Sequence, residues 1–182
     1  NTAADIDLLC APSLGGRLVA HNFSALFKEK AADHKRGTRE WAFAAIHTWL
    51  GSLLGSQLYW LVGGGGVGKS VISAELLRRL FVEQRVVAWH FCRHDNPEQS
   101  ASANILRSLA AMMCRTVDGF AAALDTSETV VPALESTDPE MLFEALIAEP
   151  LRAVTPPPGV AKVILIDALD EIPKQSQKAL LV

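Results

Sequence analysis

Leu58-Tyr59-Trp60-Leu61-Val62-Gly63-Gly64-Gly65-Gly66-Val67-Gly68-Lys69-Ser70 is the stretch on which the rest of the chain is organised. An apolar run stops at four glycines; Val67, Gly68, Lys69 and Ser70 then lead into a helical pattern. The spelling is G-x-x-x-x-G-K-[ST], between a candidate strand and a candidate helix, which is the context a phosphate-binding loop requires. Glycine lets such a loop bend through positive φ and bring its backbone close to a phosphate. The loop N–H groups then form an anion nest at the positive end of the following helix. Lys69 adds a full charge for the β- and γ-phosphates, and the Ser70 hydroxyl is placed to hold Mg²⁺. The candidate nucleotide contacts are therefore Gly63, Gly64, Gly65, Gly66, Val67, Gly68, Lys69, Ser70 and Val71.

A second stretch completes the chemistry. Lys162-Val163-Ile164-Leu165-Ile166-Asp167 is an apolar strand that ends in a carboxylate, the Walker B pattern. Asp167 and Ser70 are the candidate Mg²⁺ ligands. Asp170 and Glu171 follow on the next loop, where a carboxylate can orient the water that attacks a γ-phosphate and accept its proton. Glu171 and Asp170 are the candidate catalytic residues, and ATP or ADP with Mg²⁺ the expected cofactors. The central expectation is spatial: the loop at Lys69 and the carboxylates from Asp167 onward must converge on one metal-bound nucleotide.

The elements between these motifs follow from periodicity. Ser24 to Ala32 reads as a short helix with Leu26 and Phe27 on its apolar side. From Arg39 to about Leu54 a helix carries Phe43, Ile46 and Leu50 on one stripe and Trp41, Ala45 and Trp49 on its neighbour, and its large aromatics are expected to pack in the core. Gln57 to Val62 reads as the first strand. Lys69 to about Phe81 reads as a helix with Val71, Ile72, Leu76, Leu77 and Leu80 buried and Glu75, Arg78 and Arg79 outward. Arg85 to Cys92 is nearly continuous in apolar character, as a parallel strand covered on both faces would be. The polar run from Arg93 to Ser100 is a loop at the C-terminal edge of that strand, where ligands of open α/β sheets gather. A helix from Asn104 to Arg115 turns Ile105, Leu106, Leu109 and Met113 inward, and another runs from about Pro139 to Val154. Pro156-Pro157-Pro158-Gly159 is a stiff connector, and Pro173 opens a last helix.

Composition sets the outer limits. The 182 residues are 49% hydrophobic and 20% charged, with a formal net charge of −3. That is a globular balance with no electrostatic case for nucleic acid or an anionic membrane. Cys10, Cys92 and Cys114 are an odd, scattered set that suits a reduced, cytoplasmic protein. No run long enough for a spanning helix is present. Cys92 and His94 lack a completing pair, and His47 lacks a partner at i+4, so neither place reads as a structural metal site. The start at Asn1 suggests a piece of a longer protein.

Asp167-Ala168-Leu169-Asp170-Glu171 resembles the D-G-x-D-E signature of NACHT domains, in the signal-transducing (STAND) branch of P-loop ATPases. Trp89-His90-Phe91-Cys92-Arg93, the Asn96-Pro97 turn and Ile105-Leu106-Arg107-Ser108-Leu109-Ala110 resemble the nephrocystin-3-like N-terminal version of that domain. Gly37-Thr38-Arg39-Glu40-Trp41 resembles a G-R-E-W segment that precedes the loop there and lies near the nucleotide base. Thr38 interrupts the G-R-E of that pattern immediately before Arg39, the residue to which an adenine contact would be carried over. Ala168 stands where the family usually has Gly.

The resemblance implies a three-layer P-loop NTPase fold, α/β with a parallel sheet, cut off after the Walker B strand. Residues 1–36 would be a flanking segment and 37–182 the N-terminal part of a NACHT-like domain. It further implies an ATP-binding, slowly hydrolysing switch within a larger signalling protein, with protein partners or self-assembly supplied by other regions. The strand that normally lies between the phosphate-loop strand and the Walker B strand comes later in such chains. Three parallel strands are therefore expected, with a vacancy or an improvised pairing among them and with exposed apolar edges. The competing readings are a non-catalytic nucleotide-bound scaffold and a GTPase or small-molecule kinase. Asp170 argues against a GTPase, which usually has D-x-x-G after the third strand.

Overall fold

Val86–Phe91 forms strand β1, and all six of its residues are buried. A computed structural model describes residues 16–52, 55–155 and 159–174. In it β1 pairs in parallel with β2, Val163–Asp167, to give a two-stranded sheet in an α/β arrangement. Ala88 to Phe91 stand opposite Ile164 to Asp167, and the register slips between Val86 and Ala88. The slip leaves the Val87 carbonyl to another donor, and the Thr116 hydroxyl supplies it at 2.6 Å. Beyond the ladder the Cys92 N–H donates to the Asp167 carbonyl at 3.0 Å. The tip of β2 is thereby fixed to the tip of β1.

Nine α-helices surround this pair among the described residues. In chain order α1 is Ser24–Ala32, α2 Glu40–Leu50 and α3 Lys69–Val82. After β1 come α4, Pro97–Ser100, α5, Ser102–Thr116, α6, Phe120–Thr126, and α7, Val130–Glu135. Pro139–Phe143 is α8, Glu149–Ala153 is α9, and a π turn over Glu144–Ala148 joins them. Pro150 accounts for that widening: it has no N–H to give, and its ring would strike the carbonyl four residues earlier in a regular helix. Asp138 starts the run by accepting the Glu140 N–H at 3.2 Å, with Pro139 at the first helical position.

Helix α5 lies on β1 and buries Ile105, Leu106, Leu109 and Met113, as the periodicity predicts. Helix α3 contacts both strands and packs against α1. Trp89 sits wholly inside, its ring 5.9 Å from that of Phe81 at the end of α3. The segment before α1 joins the same core through Leu18, Ala20 and Phe23. His90 is fully buried beneath it: Phe23 meets its ring edge-on at 4.9 Å, and its Nε2 lies 2.9 Å from the Gln99 carbonyl. Burial holds the His90 imidazole down at about 4.

Three expectations need correction. Among the described residues Gln57–Val62 is not a strand, and the sheet has two strands where three were expected. Tyr59 leans on Trp49 of α2 at 5.4 Å, while Leu58, Trp60 and Val62 are exposed. A cleft of about 370 Å³ separates this segment from β2, whose Ile164 is 40% exposed. An apolar run becomes a strand only when a ladder partner lies beside it, and none does among the described residues. Trp41 is 70% exposed rather than in the core. Its neighbour Glu40 is held by Arg79 of α3, which orients α2 so that Ala42, Phe43, Ile46 and Leu50 face inward and Trp41 faces out. Glu75, expected outward, is 5% exposed because Arg78 and Arg79 fold over it.

Residues 120–135, which carry no clear pattern, form α6 and α7. The connector at Pro156–Pro158 and all but the first two residues of the last expected helix lie outside the described residues. No helix among the described residues is long and apolar enough to cross a membrane.

Candidate functional site

The loop between Val62 and α3 turns through Gly66 (φ 74°) and Gly68 (φ 90°), the left-handed region that glycine enters without strain. Gly68 is also the residue from which α3 springs, and its carbonyl accepts the Ile72 N–H at 3.0 Å. Lys69 bends back over the loop. Its Nζ donates to the carbonyls of Gly63 at 2.9 Å and Gly64 at 3.1 Å. An ammonium has three donors, so one remains for an anion in the loop. Ser70 and Val71, both half-buried, complete the first turn of α3.

From the other side β2 delivers Asp167, which is 7% exposed. Its Oδ1 accepts the Ser73 hydroxyl of α3 at 2.7 Å. The strand tip is therefore tied to the loop's own helix, one turn beyond Ser70. Sequence reading did not single out Ser73. The signal was its place three residues after Ser70 and four after Lys69, on the helix face that the loop shares.

Gly63, Lys69, Ser73, Asp167 and Asp170 all line the cleft between residues 57–63 and β2. Its inner wall is apolar, from Trp49, Ile72, Leu76 and Leu165 among others. Glu171 instead faces the loop after β1, with Oε2 3.3 Å from His94 Nδ1. Asp170 and Glu171 are exposed, on a short 3₁₀ turn spanning Leu169–Glu171. The structure thus places Lys69, Asp167 and Asp170 around one space, and turns Glu171 toward His94.

That turn begins at Ala168, with φ 55° and ψ 38°. The left-handed conformation costs an L-residue about 1–2 kcal/mol, which is the physical reason a glycine suits this position. Ala168→Gly relieves the strain and loses part of the gain to the freer unfolded chain. The net expectation is a stabilisation of about 0.5–1 kcal/mol, or ~1–4 °C in Tm for a chain of this size. A thermal melt that falls instead would show that the turn tolerates alanine without strain.

Cys92 is buried beside this turn, and burial together with the carboxylates of Asp167, Glu171 and Asp170 pushes its thiol up to about 12. It is a packing residue with no nucleophilic character at neutral pH. Among the described residues no three of His, Cys, Asp and Glu are grouped to hold a metal on their own. The donor set at the loop does suit a Mg²⁺ that brings phosphate and water ligands with it: one buried carboxylate with Oδ2 outside the Ser73 hydrogen bond, and hydroxyls on the adjoining helical turn.

Residues 37–182 match the family described as nephrocystin 3, N-terminal. Neither the curated proteins nor the solved structures compared with the chain gave a match.

Proposed function

Since the chain belongs to the nephrocystin 3 N-terminal family, we propose that it is the nucleotide-binding part of a NACHT-type ATP switch with a P-loop NTPase fold. The observation that carries this reading is the meeting of Lys69 and Asp167 at one cleft. The two motifs lie far apart in sequence, and an ordinary strand with an acidic turn would have no reason to end there.

In this reading the loop amides from Gly63 to Ser70 and the free Lys69 donor bind phosphate oxygens. Ser70 and Asp167 hold Mg²⁺, which when bound neutralises phosphate charge. Ser73 holds Asp167 in place through its hydroxyl. Asp170 at the cleft, or Glu171 beside His94, orients the attacking water. ATP is favoured over GTP because position 170 is Asp where a GTPase would have Gly. ADP and ATP would stabilise different conformations of the whole protein through differential contacts at the γ-phosphate. Its partners would be proteins or further copies engaged through regions outside this chain, in the cytoplasm.

The test is direct. Purified protein is denatured, any nucleotide released is identified, and ATP is competed against GTP in a binding assay. Adenine nucleotide, displaced by ATP and not by GTP, is the expected result. Guanine nucleotide would favour the GTPase alternative. A tightly held nucleotide that never exchanges would favour the scaffold.

A further inference from the structure

The guanidinium of Arg39 lies on the phosphate loop. A Cβ built on Gly68 would stand 2.6 Å from its Nη2, 3.2 Å from Cζ and 3.5 Å from Nε, so the group covers the face of Gly68 that only glycine leaves open. Two features hold it there. Glu40, the next residue, receives Arg79 Nη1 at 3.0 Å and Nη2 at 2.9 Å. Arg79 is itself fixed by Glu75 at 2.8 Å and by the Phe43 ring, 3.9 Å below its Cζ. The start of α2 is thus clamped to α3, the helix that begins in the loop. Arg39 takes φ 61° at that junction, a left-handed backbone unusual for a residue other than glycine. Whereas Arg79 spends its charge on two carboxylates, the Arg39 guanidinium has no hydrogen bond or ion pair among the described residues.

We infer that Arg39 is a second cation of the phosphate site, a ligand for the phosphate chain rather than for the base. The inference rests on the nucleotide reading above. A guanidinium stays charged at all relevant pH and presents paired donors that match two phosphate oxygens. Lys69 approaches the loop from the carbonyls of Gly63 and Gly64 and Arg39 from Gly68, so the two would flank a bound phosphate chain.

The experiment compares wild type, Arg39→Gln and Arg39→Lys for ATP, GTP and inorganic tripolyphosphate by calorimetry, with a melt as the folding control. Arg39→Gln should weaken ATP and tripolyphosphate by the same factor, about tenfold, the size of one charge-assisted contact. Arg39→Lys should recover part of that loss, and the ATP-to-GTP ratio should stay as in wild type. Unchanged affinities, or a loss for ATP that tripolyphosphate does not share, would overturn the inference while leaving the nucleotide reading intact. Wild-type protein that binds none of the probes would instead remove the nucleotide reading, and this inference with it.

Discussion

Lys69→Ala is expected to weaken ATP binding about a hundredfold, the size of a lost charge-assisted phosphate contact in a site that also relies on the charge for attraction. The fold should survive. The Lys69 ammonium is bonded to the Gly63 and Gly64 carbonyls of an exposed loop, and water can replace it there. The melting temperature should therefore stay within ~2 °C of wild type, as for a surface change of a few tenths of a kcal/mol. Calorimetry with ATP and a parallel melt separate the two quantities. Retained affinity would mean that Lys69 serves only to close its own loop.

The second large effect is on stability. Glu75 lies inside with one carboxylate oxygen shared by Arg78 Nη2 and Arg79 Nε, both at 2.8 Å, and the other bound by Arg78 Nε at 2.8 Å. His34 Nδ1 stands 3.8 Å away. The two arginines pull the Glu75 carboxyl down to about 2 despite its burial. Through Arg79 the same carboxylate anchors Glu40, and with it the whole of α2. Glu75→Ala removes the buried carboxylate and leaves two guanidiniums that reach solvent, with Arg79 still paired to Glu40, at an expected cost of about 2 kcal/mol. For a chain of this length that is ~4–8 °C in Tm.

The pH dependence has a matching sign. Because the folded carboxyl ionises more readily than the unfolded one, Glu75 stabilises the protein above the ordinary carboxylate range. That contribution fades as pH falls from about 4.5 towards 2. His90 acts earlier. Its burial keeps it neutral in the folded state, so stability declines as pH falls from about 6.5 towards 4 and the unfolded chain takes up the proton. Urea melts across pH should show both limbs in wild type and a shallower lower limb in Glu75→Ala, where Glu29, Glu40, Asp95 and Glu144 still ionise more readily than free carboxyls. An unaltered lower limb would assign acid sensitivity to other carboxylates.

The backbone of the candidate site could be read from residue types alone, because the loop's demands are local. Glycines at 66 and 68 take positive φ, and Lys69 and Ser70 open a helix of the length its apolar spacing implies. The limits of β1 and β2 were likewise legible, since continuous β-branched and aromatic runs mark buried parallel strands. What failed depended on partners distant in sequence. Leu58 to Val62 has a strand's composition, yet pairing is a property of two segments, and the neighbouring place beside β2 is an open cleft. Glu75 and Trp41 exchanged their expected surroundings because one ion-pair network ties α2 to α3, and helical periodicity carries no information about cross-helix partners. Ser73 was hidden for the same reason: it matters through one contact, with a carboxylate on another element.

The sharpest check on the account is the Mg²⁺ dependence of ATP affinity in wild type and Asp167→Asn. If the strand tip and the phosphate loop serve one metal-bound nucleotide, Mg²⁺ should tighten ATP binding about tenfold or more in wild type, as a charge-assisted ligand would. In Asp167→Asn most of that gain should vanish, with metal-free affinity little changed. A Mg²⁺ response of equal size in both proteins would contradict the convergence on which the proposed function stands.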